Sequence, residues 1–228
     1  MKIGFIGDTH GRPFWKEFIK DSSIDKWIFM GDYMDEDYGY AVNNDDMISN
    51  LLEIIEFKKS NPDNIVLLYG NHDNAYRNSA WMCSRFRPKI AHTIRDIFTK
   101  NKSCFQNAYQ INDIICTHAG ISQKWFTECF KGDHTCDIAK QLNDPLIKNV
   151  NSLYNVGWSR GGSDIAGGIF WADSSELTKP LENYTQIVGH NRVTEISEMQ
   201  MNNSKIIAID CLTTKKDFLT IEIETNEK

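Results

Sequence analysis

Short apolar runs that stop abruptly at a glycine and a polar residue constrain this chain more than any other feature. Four have that form: Ile3-Gly4-Phe5-Ile6-Gly7-Asp8, Trp27-Ile28-Phe29-Met30-Gly31-Asp32, Ile65-Val66-Leu67-Leu68-Tyr69-Gly70-Asn71 and Gln186-Ile187-Val188-Gly189-His190. Two relatives lack the glycine in that place, Ile114-Ile115-Cys116-Thr117-His118 and Ile206-Ile207-Ala208-Ile209-Asp210. Runs this short, apolar at odd and even positions alike, read as strands buried on both faces. Helical patterns lie between them. Asp45 to Lys59 repeats Ile48, Leu51, Leu52 and Ile55 at helical spacing, with Asn44 or Asp45 as the N-cap and Lys58-Lys59 near the C-terminal end. Arg87 to Lys100, with Ile90, Ile94, Ile97 and Phe98, and the segment around Trp125, Phe126 and Phe130 read as further helices. Asp217 to Glu224 alternates as a late strand. Strand alternating with helix predicts an α/β architecture.

Composition removes several function classes. With 228 residues, 41% hydrophobic and 11% aromatic, the chain can bury a proper core and stands apart from sequences that stay disordered. No apolar run approaches the roughly 18 residues of a membrane-spanning helix. The opening Met1-Lys2-Ile3-Gly4-Phe5-Ile6 is too short for the core of a signal peptide, and the six cysteines include no Cys-x-x-Cys pair, so a cytoplasmic protein without a disulfide scaffold is expected. Acidic residues outnumber basic ones 31 to 25, for a formal charge of −6 without basic clusters. That balance speaks against non-specific nucleic-acid binding while leaving room for a local basic pocket. In the absence of a linker, low-complexity tract or long repeat, residues 1–228 are expected to form a single domain.

Ligands of open α/β sheets gather at the carboxyl ends of strands. The residues just past the predicted strand ends are Asp8, His10, Asp32, Asn71, His72, His118, His190 and Asp210. Carboxylates, imidazoles and an amide collected in this way suit a divalent metal. Taken singly, Gly7-Asp8-Thr9-His10-Gly11 reads equally as a strand-to-helix turn capped by Asp8, and Gly70-Asn71-His72-Asp73 as an ordinary turn. Jointly they do not, because four of only six histidines fall at these ends.

Five motifs follow in order: Gly7-Asp8-Thr9-His10-Gly11, Gly31-Asp32-Tyr33-Met34-Asp35, Gly70-Asn71-His72-Asp73, Thr117-His118-Ala119-Gly120 and Gly189-His190. Together they resemble those of the calcineurin-like metallophosphoesterases. His118-Ala119-Gly120 is similar to the branch that holds phosphoprotein phosphatases and diadenosine tetraphosphatases, and Trp158-Ser159-Arg160-Gly161-Gly162 with Gly168-Ile169-Phe170-Trp171-Ala172-Asp173 resembles a segment of small phage-type and bacterial members. The resemblance implies a two-sheet β-sandwich flanked by helices in four α-β-β-α layers. Two departures stand out: Asp35-Glu36-Asp37 replaces the branch's usual Asp-Arg-Gly, and Asn191 replaces the threonine that commonly follows Gly-His.

What the resemblance implies for the site is specific. Asp8 and His10 would hold a first metal, Asp32 would bridge, and Asn71, His118 and His190 would hold a second. Two divalent ions roughly 3.5 to 4 Å apart can acidify a bridging water and aim it for in-line attack on phosphorus. The imidazole-rich ligand set suits manganese first, with iron, zinc or nickel as alternatives. His72 would act as general acid toward the leaving group, with Asp35 orienting its ring. Asp210 would accept from a metal-bound histidine or serve only as a cap. Since the usual phosphate-gripping arginine is missing, Arg160 is the first substitute and Arg12 the second, whereas Arg77 and Arg192 read as surface residues. Trp158, Phe170 and Trp171 read as buried aromatics or as a pocket wall. Tyr33, Tyr38 and Tyr40 beside Asp35, Glu36 and Asp37 would form an acidic lip if exposed. The cysteines receive no catalytic task. The expected function is a metal-dependent phosphomonoesterase acting on a phosphoprotein, nucleotide or small phosphoester, away from membranes. The alternatives are a dinucleoside polyphosphate hydrolase or phosphodiesterase on the same site, and a non-catalytic metal-binding scaffold for a protein partner.

Overall fold

Every one of the six apolar runs forms a strand in the computed structural model, which describes residues 1–36, 42–78, 82–145 and 147–224, the side chains of 147 and 148 excepted. The strands among these residues are β1 (Lys2–Ile6), β2 (Lys26–Phe29), β3 (Ile65–Leu68), β4 (Phe105–Gln106), β5 (Ala108–Ile111), β6 (Ile114–Thr117), β7 (Thr185–Arg192), β8 (Ser197–Met201), β9 (Ser204–Asp210) and β10 (Leu219–Glu222). They make two five-stranded sheets, giving the mixed α/β architecture that strand–helix alternation predicts. The chain divides into two compact units, residues 1–105 with 211–228, and residues 106–210.

The first sheet runs β10-β1-β2-β3-β4. Its centre is parallel, with Ile3 opposite Lys26 and Trp27 opposite Ile65. A parallel pair needs a crossover, and two helices supply it: α1 (Trp15–Phe18) between β1 and β2, and α2 (Asn44–Ser60) between β2 and β3. β10 closes the opposite edge antiparallel to β1, which realises the alternating tail. α2 differs in two details from expectation. Its N-cap is Asn43, whose backbone is extended and whose side chain accepts the Asp46 N–H at 2.8 Å. Its buried face is Met47, Leu51, Ile54 and Ile55, turning Leu52 to solvent. Two further helices follow, α3 (Asn71–Asn78) and α4 (Ala91–Lys100). The pattern that begins at Arg87 enters α4 through a 3₁₀ turn at Pro88–Ile90, since proline suits a first turn, where its missing N–H costs nothing.

The second sheet runs β5-β6-β7-β9-β8, with β6, β7 and β9 parallel and the two edge strands antiparallel. Ala119, Ala172, Leu177, Val188 and Ile206 form a buried cluster within this unit. The aromatic segment Trp125–Phe130 forms a wide π-helical turn in which Trp125 stacks on Phe130 at 5.1 Å. A short helix, α5 (Ile138–Asn143), is capped by Asp137 and has no apolar repeat long enough to betray it in the sequence. No helix among the described residues is long and apolar enough to cross a membrane.

Candidate metal centre

In the first unit the motif turns are fastened to one another through backbone. Asp8 and His10 follow β1, Asp32 and Asp35 follow β2, and Asn71 and His72 open α3 just past β3. The glycines before them are required by contact: a Cβ on Gly70 would lie 2.1 Å from Asp32 Oδ1, and one on Gly31, at φ +100°, would lie 2.6 Å from the Gly70 nitrogen. Asp73 and Asp32 then bind each other's loops. The buried Asp73 carboxylate accepts the N–H groups of Asp32 (2.9 Å), Tyr33 (3.0 Å) and Gly70 (2.8 Å), while Asp32 Oδ1 accepts the His72 N–H at 2.9 Å. His10, Asp32 and Asp35 all hold positive φ, between 45° and 60°, a conformation that side chains other than glycine's take at a cost and that clusters at functional sites.

This lock leaves Asp8, His10 and Asp32 buried, with one ligand-type atom from each lying within 4.8 Å of the others. His10 Nδ1 lies 2.7 Å from the Met34 carbonyl; a carbonyl can only accept, so Nδ1 carries the proton and Nε2 presents its lone pair. Burial drives the His10 pKa down to about 3, against the pull of Asp32, so the ring is neutral at ordinary pH. Its Nε2 lies 3.8 Å from Asp32 Oδ2. A neutral imidazole and two carboxylates converging in a buried space fit a divalent cation.

Asn71 and His72 are each held by a further neighbour. The Asn71 amide nitrogen donates to Cys83 Sγ at 3.3 Å, and the Cys83 thiol contacts the Asn71 carbonyl at 3.4 Å. Burial also pushes the Cys83 pKa well up, so it stays a thiol. His72 Nδ1 lies 2.8 Å from Asp35 Oδ2, and its ring meets that of His10 edge-on at 5.1 Å. Burial works against charge on His72, but Asp32 and Asp35 outweigh it and its pKa is raised. Asp35 Oδ1 accepts the Tyr76 hydroxyl at 2.5 Å, and the Tyr76 oxygen accepts the Arg87 N–H at 3.0 Å.

In the second unit, the neighbouring strands β6 and β7 carry the other two expected ligands. The His118 carbonyl accepts the Gly189 N–H at 2.8 Å, which sets His118 and His190 side by side with ring centroids 5.1 Å apart. His118 is wholly buried. His190 sits within β7 rather than past its end, at an irregularity between Val188 and Arg192, with φ 60°. That bulge re-aims its side chain while the strand continues. Trp171 packs edge-on against His190 at 5.8 Å. Arg160 pairs with Asp173 at 2.9 Å and donates to Asn191, the residue after His190, on the wall of a cavity of about 320 Å³ that Arg192 also lines. Asp210, buried at the end of β9, accepts the Val193 N–H with its carbonyl.

Several expectations change here. Arg12 is buried, and its guanidinium donates to the carbonyls of Thr9 and Asp8, so it braces the turn that carries Asp8 and His10. No acidic lip forms at Tyr33 and Asp35, which are fully buried, the Tyr33 hydroxyl donating to the Leu68 carbonyl; Asp37, Tyr38 and Tyr40 lie outside the described residues. Of the aromatics, Phe170 is buried against Tyr154 whereas Trp158 is 79% exposed. Arg77 lies over the Tyr69 ring at 3.5 Å and donates to Asn74. Sequence reasoning assigned no role to Asp73, Tyr76 or Cys83. The only sequence signal for Tyr76 is its position four residues after His72, on one face of a helix.

Residues 1–209 match the family model described as calcineurin-like phosphoesterase. A serine/threonine phosphatase from Saccharomyces cerevisiae with similarity to human phosphatase PP5 shares the fold, with a TM-score of 0.55 at 15% identity over 92% of this chain and 66% of that one. The chain therefore spans slightly less than two thirds of that phosphatase. A metallophosphoesterase from Sphaerobacter thermophilus is 14% identical, with a TM-score of 0.41 over 91% of this chain and 75% of that one. Yfce, a phosphoesterase from E. coli, is 11% identical, with a TM-score of 0.39 over 91% of this chain and 78% of that one.

Proposed function

Because the chain belongs to the calcineurin-like phosphoesterase family, a family of phosphoester hydrolases, we propose that it is a metal-dependent phosphomonoesterase whose two units work as one domain. The observation that carries the reading is the buried Asp8–His10–Asp32 cluster with a neutral His10 ring, a donor set made for a cation. In this reading Asp8 and His10 hold one divalent ion, Asp32 serves both, and Asn71, His118 and His190 hold the other. When bound, two such ions supply an acidified water and neutralise charge on the phosphoryl oxygens. The nitrogen-rich ligands favour manganese over magnesium or calcium.

The chain's own groups do the rest. His72 keeps a proton through its contacts with Asp32 and Asp35 and delivers it from Nε2 to the leaving oxygen. Arg160, steadied by Asp173 and Asn191, takes the phosphate-orienting part that the missing Asp-Arg-Gly arginine would play. Asp210 supports the ligands of the second unit. The substrate is a phosphorylated protein, nucleotide or small ester, met in the cytoplasm. A second reading, hydrolysis of a dinucleoside polyphosphate or diester, is favoured by Trp158, an exposed ring two positions from Arg160 on which a base could stack.

An assay of p-nitrophenyl phosphate, bis-p-nitrophenyl phosphate, diadenosine tetraphosphate and a phosphopeptide, each with manganese, nickel, zinc or magnesium, separates these readings. Monoester or phosphopeptide turnover with manganese is expected. Preference for the bis-ester or the dinucleotide supports the second reading, and no turnover with metal bound leaves a non-catalytic scaffold.

A further inference from the structure

The Asp35 carboxylate is wholly buried on a residue whose own backbone is left-handed, so its orientation depends on what its two oxygens touch. One touches His72 Nδ1 at 2.8 Å and the other the Tyr76 hydroxyl at 2.5 Å. Tyr76 is itself fixed from three sides. Its ring stacks on Phe86 at 4.5 Å, its oxygen accepts the Arg87 N–H, and its backbone carbonyl accepts Arg95 Nε at 3.0 Å. A phenol has one proton to give. The Arg87 N–H uses a lone pair, so that proton points to Asp35, and burial pushes the hydroxyl pKa far up and keeps it there. Asp35 and His72 are held by their backbones as well, the Asp35 N–H on Met47 Sδ at 3.3 Å and the His72 N–H on Asp32 Oδ1, whereas the contact between their side chains is steadied by Tyr76.

We propose that Tyr76 is a positioning residue for His72: acting through Asp35, its hydroxyl holds the ring in the one orientation that keeps Nδ1 on Asp35 and aims Nε2 at the leaving group. The inference rests on the reading of His72 as proton donor and adds a residue to it. Removing the hydroxyl frees Asp35 to turn, and the loss should fall on esters whose leaving oxygen needs a proton, sparing those that depart without one. A purely structural Tyr76 would lower both alike.

The test is Tyr76→Phe, which keeps the ring against Phe86, assayed on p-nitrophenyl phosphate and on phenyl phosphate, the poorer leaving group. Metal content is measured in parallel as a control. The kcat ratio between the two esters is expected to fall about tenfold against phenyl phosphate; an unchanged ratio would overturn the proposal. The His72 Nδ1 proton resonance, identified by its loss in His72→Asn, provides a readout without turnover. It should move or broaden in Tyr76→Phe, and a resonance identical to that of the parent would overturn the proposal. If the parent hydrolyses neither ester, the functional reading fails, and the resonance alone decides for or against Tyr76.

Discussion

At the scale of single residues, the site is held by carboxylates that bond backbone rather than by charge pairs. Asp73 is the clearest case, because it satisfies three buried N–H groups on the loops that carry Asp32 and Asn71. An orphaned buried donor costs about 1 to 3 kcal/mol, so Asp73→Ala is expected to destabilise the chain by roughly 3 kcal/mol or more. It should also weaken manganese binding, since Asp32 loses its fixed loop. Urea unfolding and a metal titration of the variant check both effects, and parent-like values in both would remove Asp73 from this role. The places of Asp8, His10, Asp32, Asn71, His72 and His118 just past strands were legible because each follows an apolar run. Asp73, Tyr76 and Cys83 were not, since their partners lie at sequence distances that no local pattern encodes. Arg12 shows the converse limit: its type suits phosphate, and only burial reveals that it serves the backbone of Asp8 and Thr9.

At the scale of elements, each unit has its own parallel strand set, one leading into Asp8, Asp32 and Asn71, the other into His118 and through His190. The strands were legible because their apolar runs are continuous and buried on both faces. Boundaries were less so. The cap of α2 lies one residue before the expected Asn44, because the helix begins where Asn43 leaves extended geometry and not where polarity changes. His190 lies within a strand that continues through it, and no composition signal marks such a bulge. Asn43→Ala should destabilise the first unit by about 1 kcal/mol through loss of the bond to Asp46. A thermal melt matching the parent within a few tenths of a kcal/mol would show that the α2 cap contributes nothing.

At the scale of the whole molecule, the formal charge of −6 gains a local meaning, because part of the acidic excess stands in a buried cluster suited to cations. Ions that bind the folded chain and not the unfolded one raise its melting temperature by mass action. Manganese is therefore expected to raise the melting temperature of chelator-treated protein in a concentration-dependent way, and an unmoved melt would speak against a built site. A dinuclear metal centre that hydrolyses phosphomonoesters is tested by titrating chelator-treated protein with manganese while following bound metal per chain and p-nitrophenyl phosphate hydrolysis together. Activity is expected to rise until two equivalents are bound and to be lost in Asp32→Asn. Hydrolysis that is independent of metal, or tight manganese binding at two equivalents with no hydrolysis, would contradict it.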